Sequence, residues 1–229
     1  SDGTVKLDLI NGIVVHVMGH SHPRLIKAAL KGALNDIVMQ GHLQPNYEYR
    51  EFTKRIVELA SKNSRLRHAW IATCGTMANE NALKISRQKK SPAKFILAFE
   101  NAFAGRSTLM AEVTDNPSYR QGLPEYNEVL RVPYYDPKNP KESSEKALRI
   151  VKELVQKYEN QIAVFSFEPM QGEGGYIYAP RDFLVPILSF LKEKGISIWA
   201  DEVQTFTRTG ELFAYETLGI GEYIDICTI

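Results

Sequence analysis

The sequence predicts an α/β protein with a mainly parallel sheet covered by helices on both faces. Three observations carry that expectation. From about residue 68 onward, short apolar segments alternate with longer amphipathic ones. The segments KFILAF, QIAVFSF and ISIWA are hydrophobic at nearly every position, as strands buried on both faces are. The stretches between them are long enough to cross over the sheet as helices.

The opening LDLINGIVVHVMG predicts short strands around a turn at Asn11-Gly12. In HSHPRLIKAALKGALND, Pro23 stands at a first helical position, and Leu25, Ala28, Ala29 and Leu34 recur at helical spacing. Residues 41–45 make a break, after which Tyr49, Phe52, Ile56 and Leu59 mark the core face of a second helix. HAWIATC reads as a strand, and TMANENALKISRQ as a helix with Ala78, Ala82 and Ile85 on one side. KFILAF is a strand, and so is EVLRV beyond a polar loop containing proline. Ala147, Ile150, Val151, Leu154, Val155 and Tyr158 form the apolar stripe of a long helix. After the strand QIAVFSF, Pro180 precedes a helix carrying Leu184, Ile187, Leu188 and Leu191, which Gly195 ends. ISIWA and the final IDICTI are the last strands.

Composition narrows the function classes. With 44% hydrophobic and 24% charged residues, the 229-residue chain can bury a core, which excludes a disordered tail or a disulfide-stapled miniprotein. Lys and Arg total 28 against 27 Asp and Glu, so the charge gives no reason to expect nucleic acid or an anionic membrane as partner. No apolar run approaches the ~20 residues that span a bilayer. The first residues lack a basic segment followed by a long apolar one, so no secretory signal is expected. Cys74 and Cys227 read as reduced core residues, consistent with a cytoplasmic protein.

The chemistry-bearing residues follow strands: Cys74-Gly75-Thr76, Asn101 to Arg106, Glu168 to Gly175, and Asp201 to Gln204. If the strands are parallel, these stretches converge on the carboxyl edge, where open α/β sheets bind ligands. Gly75-Thr76, between a strand and a helix, offers bare backbone N–H groups to a phosphate; taken alone, a helix N-cap is the simpler reading. It matches neither a Walker loop nor the GxGxxG pattern. Asp201 and Glu202 at a strand end suit a metal, acid–base work or a cationic heterocycle, and Glu168 and Glu173 keep a divalent-metal hydrolase open; a solvated strand end suits Glu202 as well. The turn EPMQGEGG is acidic and flexible in composition, and Gly174-Gly175 suggests close approach or positive φ. His16, His20 and His22 lack a completing zinc ligand nearby, and His22-Pro23 is better read as a helix start.

Taken together, GHSHPRLIKAA, CGTMANENALKISR, AFAGRS, EPMQGEGG and WADEVQTF…RTGELFA resemble, in order and spacing, the class III pyridoxal-phosphate-dependent aminotransferases, over essentially the whole chain. The resemblance implies a fold-type-I PLP-dependent transferase, incomplete here, with residues 1–45 in a small domain and 46–229 in a partial PLP-binding large domain. It implies transamination between an ω-amino compound (acetylornithine, ornithine, 4-aminobutyrate or lysine-like) and a 2-oxo acid such as 2-oxoglutarate, with pyridoxal 5'-phosphate as cofactor, in a homodimer. Gly75 and Thr76 would hold the cofactor phosphate, Phe103 and Val203 would cover the two faces of its ring, and Gln204 would bond its phenolic oxygen. Asp201 would pair with the ring nitrogen, Glu168 would be a supporting carboxylate, and Glu173 would pair with an arginine later in the chain.

Two departures stand out. Ala104 occupies a position where the family usually has His, and FTRTG is one residue shorter than the common GFGRTG. The resemblance also implies that the Schiff-base lysine follows the DICTI segment and lies outside this sequence. A non-catalytic PLP-binding fragment and a class III aminomutase are the alternative readings.

Overall fold

A computed structural model describes residues 2–35 and 43–229, so Gly41 and His42 of the expected break lie outside the described residues. The chain divides into two compact units, Ser1–Ile56 and Val57–Ile229.

In the first unit the expected N-terminal hairpin does not form. The residues of the single turn α1 (Asn11–Val14) instead have φ between +55° and +64°. Local chemistry accounts for this: the Asp8 carboxylate accepts the backbone N–H groups of Ile10, Asn11 and Gly12 at 2.8–3.1 Å, and so takes donors that a strand ladder would use. His20 Nε2 reaches the same carboxylate at 2.9 Å. Helix α2 (Pro23–Leu34) begins as read, with Pro23 in its first turn and His22 extended before it. None of its residues is buried; Leu25 and Leu34 are exposed. Helix α3 spans Tyr47–Ala60, and only Ala60 is buried, with Phe52 exposed.

The second unit is organised by a five-stranded, all-parallel sheet in the order β2-β1-β3-β6-β7. Its strands are β1 (Phe95–Phe99), β2 (Val129–Val132), β3 (Ile162–Phe167), β6 (Ser197–Asp201) and β7 (Ile226–Thr228). The two-residue strands β4 (Met170–Gln171) and β5 (Ile177–Tyr178) pair antiparallel beside it. Every residue of β3 and β6 is buried, which is why both read as unbroken apolar runs.

The pleat sorts these strands into two layers. Leu97, Phe99, Phe165, Phe167, Ile198 and Ala200 face helices α6 (Pro140–Lys157) and α7 (Arg181–Glu193) in the larger core. Ile96, Val164 and Trp199 face the other way, with Ala82 and Leu83 of helix α4 (Gly75–Lys90) and with Met110 and Val113 of the short helix α5 (Met110–Val113). Burying a side chain such as Leu83 or Ile96 is worth about 1.5–3 kcal/mol, so both layers hold the sheet.

Two readings need correction here. His68–Cys74 forms no strand, and the sheet does not include it; β-propensity describes fit to a pleated surface and supplies no ladder by itself. The buried face of α4 is Asn79, Ala82, Leu83 and Ser86, whereas Ile85 is half exposed. Ala78 and Ala82 are too small to mark the face by themselves, and the buried Leu83 lies on the side that turns inward.

Candidate functional site

The strand order reverses direction between β1 and β3, since the chain passes from β1 to β2 on one side and then returns to β3 on the other. At such a switch point the loops after the two strands part and leave a crevice at the carboxyl edge. A cleft of about 190 Å³ lies among those loops. Gly75, Thr76, Phe103, Glu168, Asp201, Val203 and Gln204 all line it, with Cys74, Asn79, Ala104 and Arg106. Seven predicted site residues, spread over 130 positions, therefore share one cavity.

Backbone geometry closes its walls. A Cβ on Gly75 would stand 2.7 Å from Val203 Cγ1, and a Cβ on Gly105 (φ +131°) would stand 2.5 Å from Thr76 Oγ1. A Cβ on Gly172 would collide with the Gln204 amide. These glycines let Val203, Thr76 and Gln204 approach bare backbone at Gly75, Gly105 and Gly172 respectively. The turn after β3 is held in place: Gln171 donates through Nε2 to the Glu100 carbonyl at 2.7 Å, and β4 pairs with β5. Gly175 has φ +113°, and a Cβ on Gly174 would meet the Asn101 carbonyl at 3.0 Å, as the paired glycines suggested.

Asp201 is the charged centre. It is buried and accepts hydrogen bonds from Val203 N (3.1 Å to Oδ1) and Asn79 Nδ2 (2.7 Å to Oδ2). Burial pushes its carboxyl up to about 6, and the hydrogen bonds from Val203, Asn79 and Thr228 oppose that rise by favouring the ionised form. Glu168 accepts the backbone N–H groups of Phe103 (3.0 Å) and Gly172 (3.2 Å), tying the loop after β1 to the turn after β3. Its own burial, and then the Asp201 charge, push it up to about 8.

Asn79 is a site residue that the sequence reading missed. One helical turn into α4, it donates through Nδ2 both to the Ala104 carbonyl (2.8 Å) and to Asp201, and its buried Oδ1 has no hydrogen-bond partner among the described residues. Its signal was a polar residue four positions from Gly75 on the helix face that turns inward. Arg106, the last residue of the Asn101–Arg106 stretch, is exposed and also lines the cleft. At Ala104, where the family usually carries His, the backbone is held by Asn79 on one side and by Thr114 Oγ1, which accepts Ala104 N–H at 2.9 Å.

Two expectations change, those for Glu202 and Cys74. Glu202 is fully buried and is neither solvated nor part of the cleft. Its carboxylate accepts the N–H groups of Ala214 (2.6 Å) and Tyr215 (2.9 Å) at the start of the short helix α8 (Ala214–Thr217). Adjacent residues on a strand point to opposite faces, so Asp201 and Glu202 cannot act as a dyad. Glu173 is exposed on the turn and does not line the cavity. Cys74 is exposed at the cleft and is not a core residue. Among the described residues, no cluster of His, Cys, Asp and Glu is placed to hold a metal ion, and no helix is long and apolar enough to cross a membrane.

Comparison with known proteins settles the family. The profile described as "Aminotransferase class-III" matches residues 1–229. The chain belongs to the class III aminotransferases. The members of this family similar to it include an acetylornithine aminotransferase of Bacillus anthracis, 32% identical over 226 residues, with 98% of this chain and 53% of the relative covered. A 4-aminobutyrate aminotransferase of Mycobacterium leprae is 31% identical over 242 residues, covering 99% of this chain and 53% of the relative. The chain thus spans about half the length of the curated relatives it matches. Among solved structures, an (S)-enantioselective omega-transaminase of Thermomicrobium roseum superposes with a TM-score of 0.83 at 26% identity, covering 93% of this chain and 50% of that one. A PLP-bound amine transaminase of an uncultivated Pseudomonas species shares the fold with a TM-score of 0.85 at 22% identity, covering 94% and 52%.

The cofactor of this family is pyridoxal 5'-phosphate, and the cleft suits it. Glycines leave a cradle that a Cβ would fill, a buried carboxylate lies at its floor, and the N-terminus of the 16-residue α4 opens into it.

Proposed function

We propose that this chain forms the PLP-binding part of an enzyme that exchanges an amino group between an ω-amino compound and a 2-oxo acid such as 2-oxoglutarate. The observation that carries the reading is the single cleft where a buried Asp201, a helix N-terminus and Phe103 meet at the switch point of the sheet. Acetylornithine and 4-aminobutyrate aminotransferases among the relatives support an ω-amino donor. In keeping with the resemblance, the assembly is a homodimer, and we read it as cytoplasmic.

When bound, the cofactor supplies a protonated pyridine ring that draws electron density from a substrate carbon losing its proton. The chain's residues prepare that state. Gly75 and Thr76 would receive the phosphate dianion on the first N–H groups of α4, where the helix dipole favours negative charge. Phe103 and Val203 would cover the ring and exclude water, and Gln204 would bond the phenolic oxygen. Asp201 would hold the proton on the ring nitrogen, and opposite that cation its carboxylate would be ionised. Glu168 fixes Phe103 through the backbone N–H it accepts, and Glu173 would pair with an arginine later in the protein, as the resemblance implies.

A second reading is a PLP-binding fragment without catalysis, and both readings require cofactor binding. The test is a titration of the chain with PLP, followed by ring absorbance and tryptophan quenching. Saturable binding that Asp201→Asn weakens at least tenfold supports the site. Binding unaffected by that substitution would contradict it. A longer form of the protein that develops a visible band discharged by amine donors distinguishes the transaminase from the fragment.

A further inference from the structure

The function of Asp201 depends on its carboxylate staying ionised and fixed in direction while buried, and part of what holds it comes from the edge of the sheet. Thr228 lies directly opposite Asp201 in the parallel register of β6 and β7. Trp199, two residues before Asp201, is on the same face of β6. Its indole Nε1 donates to Thr228 Oγ1 at 2.9 Å, and both residues are buried. An indole N–H can only donate, so it occupies a lone pair of the hydroxyl and leaves the hydroxyl proton to point elsewhere. The cross-strand register sets the Asp201 carboxylate beside that hydroxyl as an acceptor for its proton.

We propose that Trp199 and Thr228 form a two-link brace in which the indole orients the hydroxyl and the hydroxyl holds the Asp201 carboxylate. Thr228 and Trp199 are then positioning residues for the ring-nitrogen contact, acting on the Asp201 carboxylate from the sheet while Asn79 acts from α4. This rests on Asp201 being the ring-nitrogen partner, but the brace itself exists without cofactor and can be tested without it. A threonine in a strand has a simpler use, which is to satisfy a buried indole. In that case the carboxylate is indifferent to the hydroxyl.

The experiment is an NMR titration of the Asp201 carboxyl carbon in the cofactor-free chain, assigned with Asp201→Asn. Glu168 on the turn after β3, Cys227 on β7, Arg106 at the cleft rim and Glu202 on the reverse face are the other ionisable groups around it. None of them is changed in the variants. Removing a donor to the charged form disfavours ionisation, so Thr228→Val moves the midpoint of Asp201 up by about one pH unit. Trp199→Phe moves it up by less, and Thr228→Ser, which keeps the hydroxyl, leaves it in place. An unmoved midpoint in Thr228→Val, or an equal shift in Thr228→Ser, overturns the brace. Should Thr228→Val not fold, an unmoved midpoint in Trp199→Phe does the same. A second arm uses PLP labelled with nitrogen-15 in the ring: in Thr228→Val the bound ring loses its proton at lower pH than in the wild type. If the wild type binds no PLP, the cofactor reading fails while the carboxyl titration still decides the brace.

Discussion

Replacing Glu202 by Gln tests whether this carboxylate caps a helix or serves the cleft. The side chain keeps its volume but loses one acceptor. In the wild type, Oε2 takes the N–H of Ala214 and Oε1 that of Tyr215, both buried. In Glu202→Gln one of those N–H groups faces an amide NH2, and a buried donor left unpaired costs about 1–3 kcal/mol. Against this stands the charge. Burial pushes the Glu202 carboxyl from 4.5 to about 7. The folded protein therefore binds more protons than the unfolded chain across that window. The stability this gives is complete below 4.5 and is lost as pH rises through about 7. Between pH 5 and pH 9 the wild type loses about 2–3 kcal/mol from this group, and a neutral Gln does not. Glu202→Gln is thus expected to destabilise at pH 5 by about 1–3 kcal/mol and to be close to neutral or stabilising at pH 9. Urea unfolding at both pH values gives the two differences, and the other carboxylates cancel because they are common to both proteins. A destabilisation equal at pH 5 and pH 9 to within about 0.5 kcal/mol would refute the reasoning. So would a variant that folds normally but no longer binds PLP, since that would return Glu202 to the cleft.

Two further substitutions probe the frame. Gly75→Ala puts a Cβ 2.7 Å from Val203 Cγ1, so Val203 must move into the cleft; PLP affinity should fall at least tenfold with a stability change of about 1 kcal/mol or less, and isothermal titration beside urea unfolding separates the two effects. Arg131 donates to the carbonyls of Phe99, Val113 and Glu112 at 2.7–3.2 Å, joining β2 to β1 and α5. Arg131→Lys cannot reproduce that fork and should lose about 2 kcal/mol; an unchanged urea midpoint would show the contacts to be dispensable.

How much of this could be read from the sequence follows from what each element packs against. Strands β1, β3 and β6 were legible because helices cover both faces and leave no polar position to confuse the pattern. His68–Cys74 has the same composition, but a strand is a relation to a neighbour, and composition does not supply one. Of the seven residues lining the cleft, Phe103, Glu168, Asp201, Val203 and Gln204 were legible because strand ends in a parallel sheet converge whatever their distance in sequence, whereas Gly75 and Thr76 reach it from the start of α4 with no strand before them. Asn79 was not, because a lone polar residue on a helix looks like solvent contact until the carboxylate opposite it is known. Glu202 misled for the opposite reason. Its neighbour Asp201 suggested a pair, while the alternation of a strand already separated them.

The chain contains two tryptophans, and they lie in opposite environments: Trp70 is 59% exposed, whereas Trp199 is fully enclosed two residues from Asp201. A water-soluble quencher such as iodide reaches the first and not the second. The emission that survives iodide therefore reports from behind the floor of the cleft, and the protein carries its own optical gauge of what enters there.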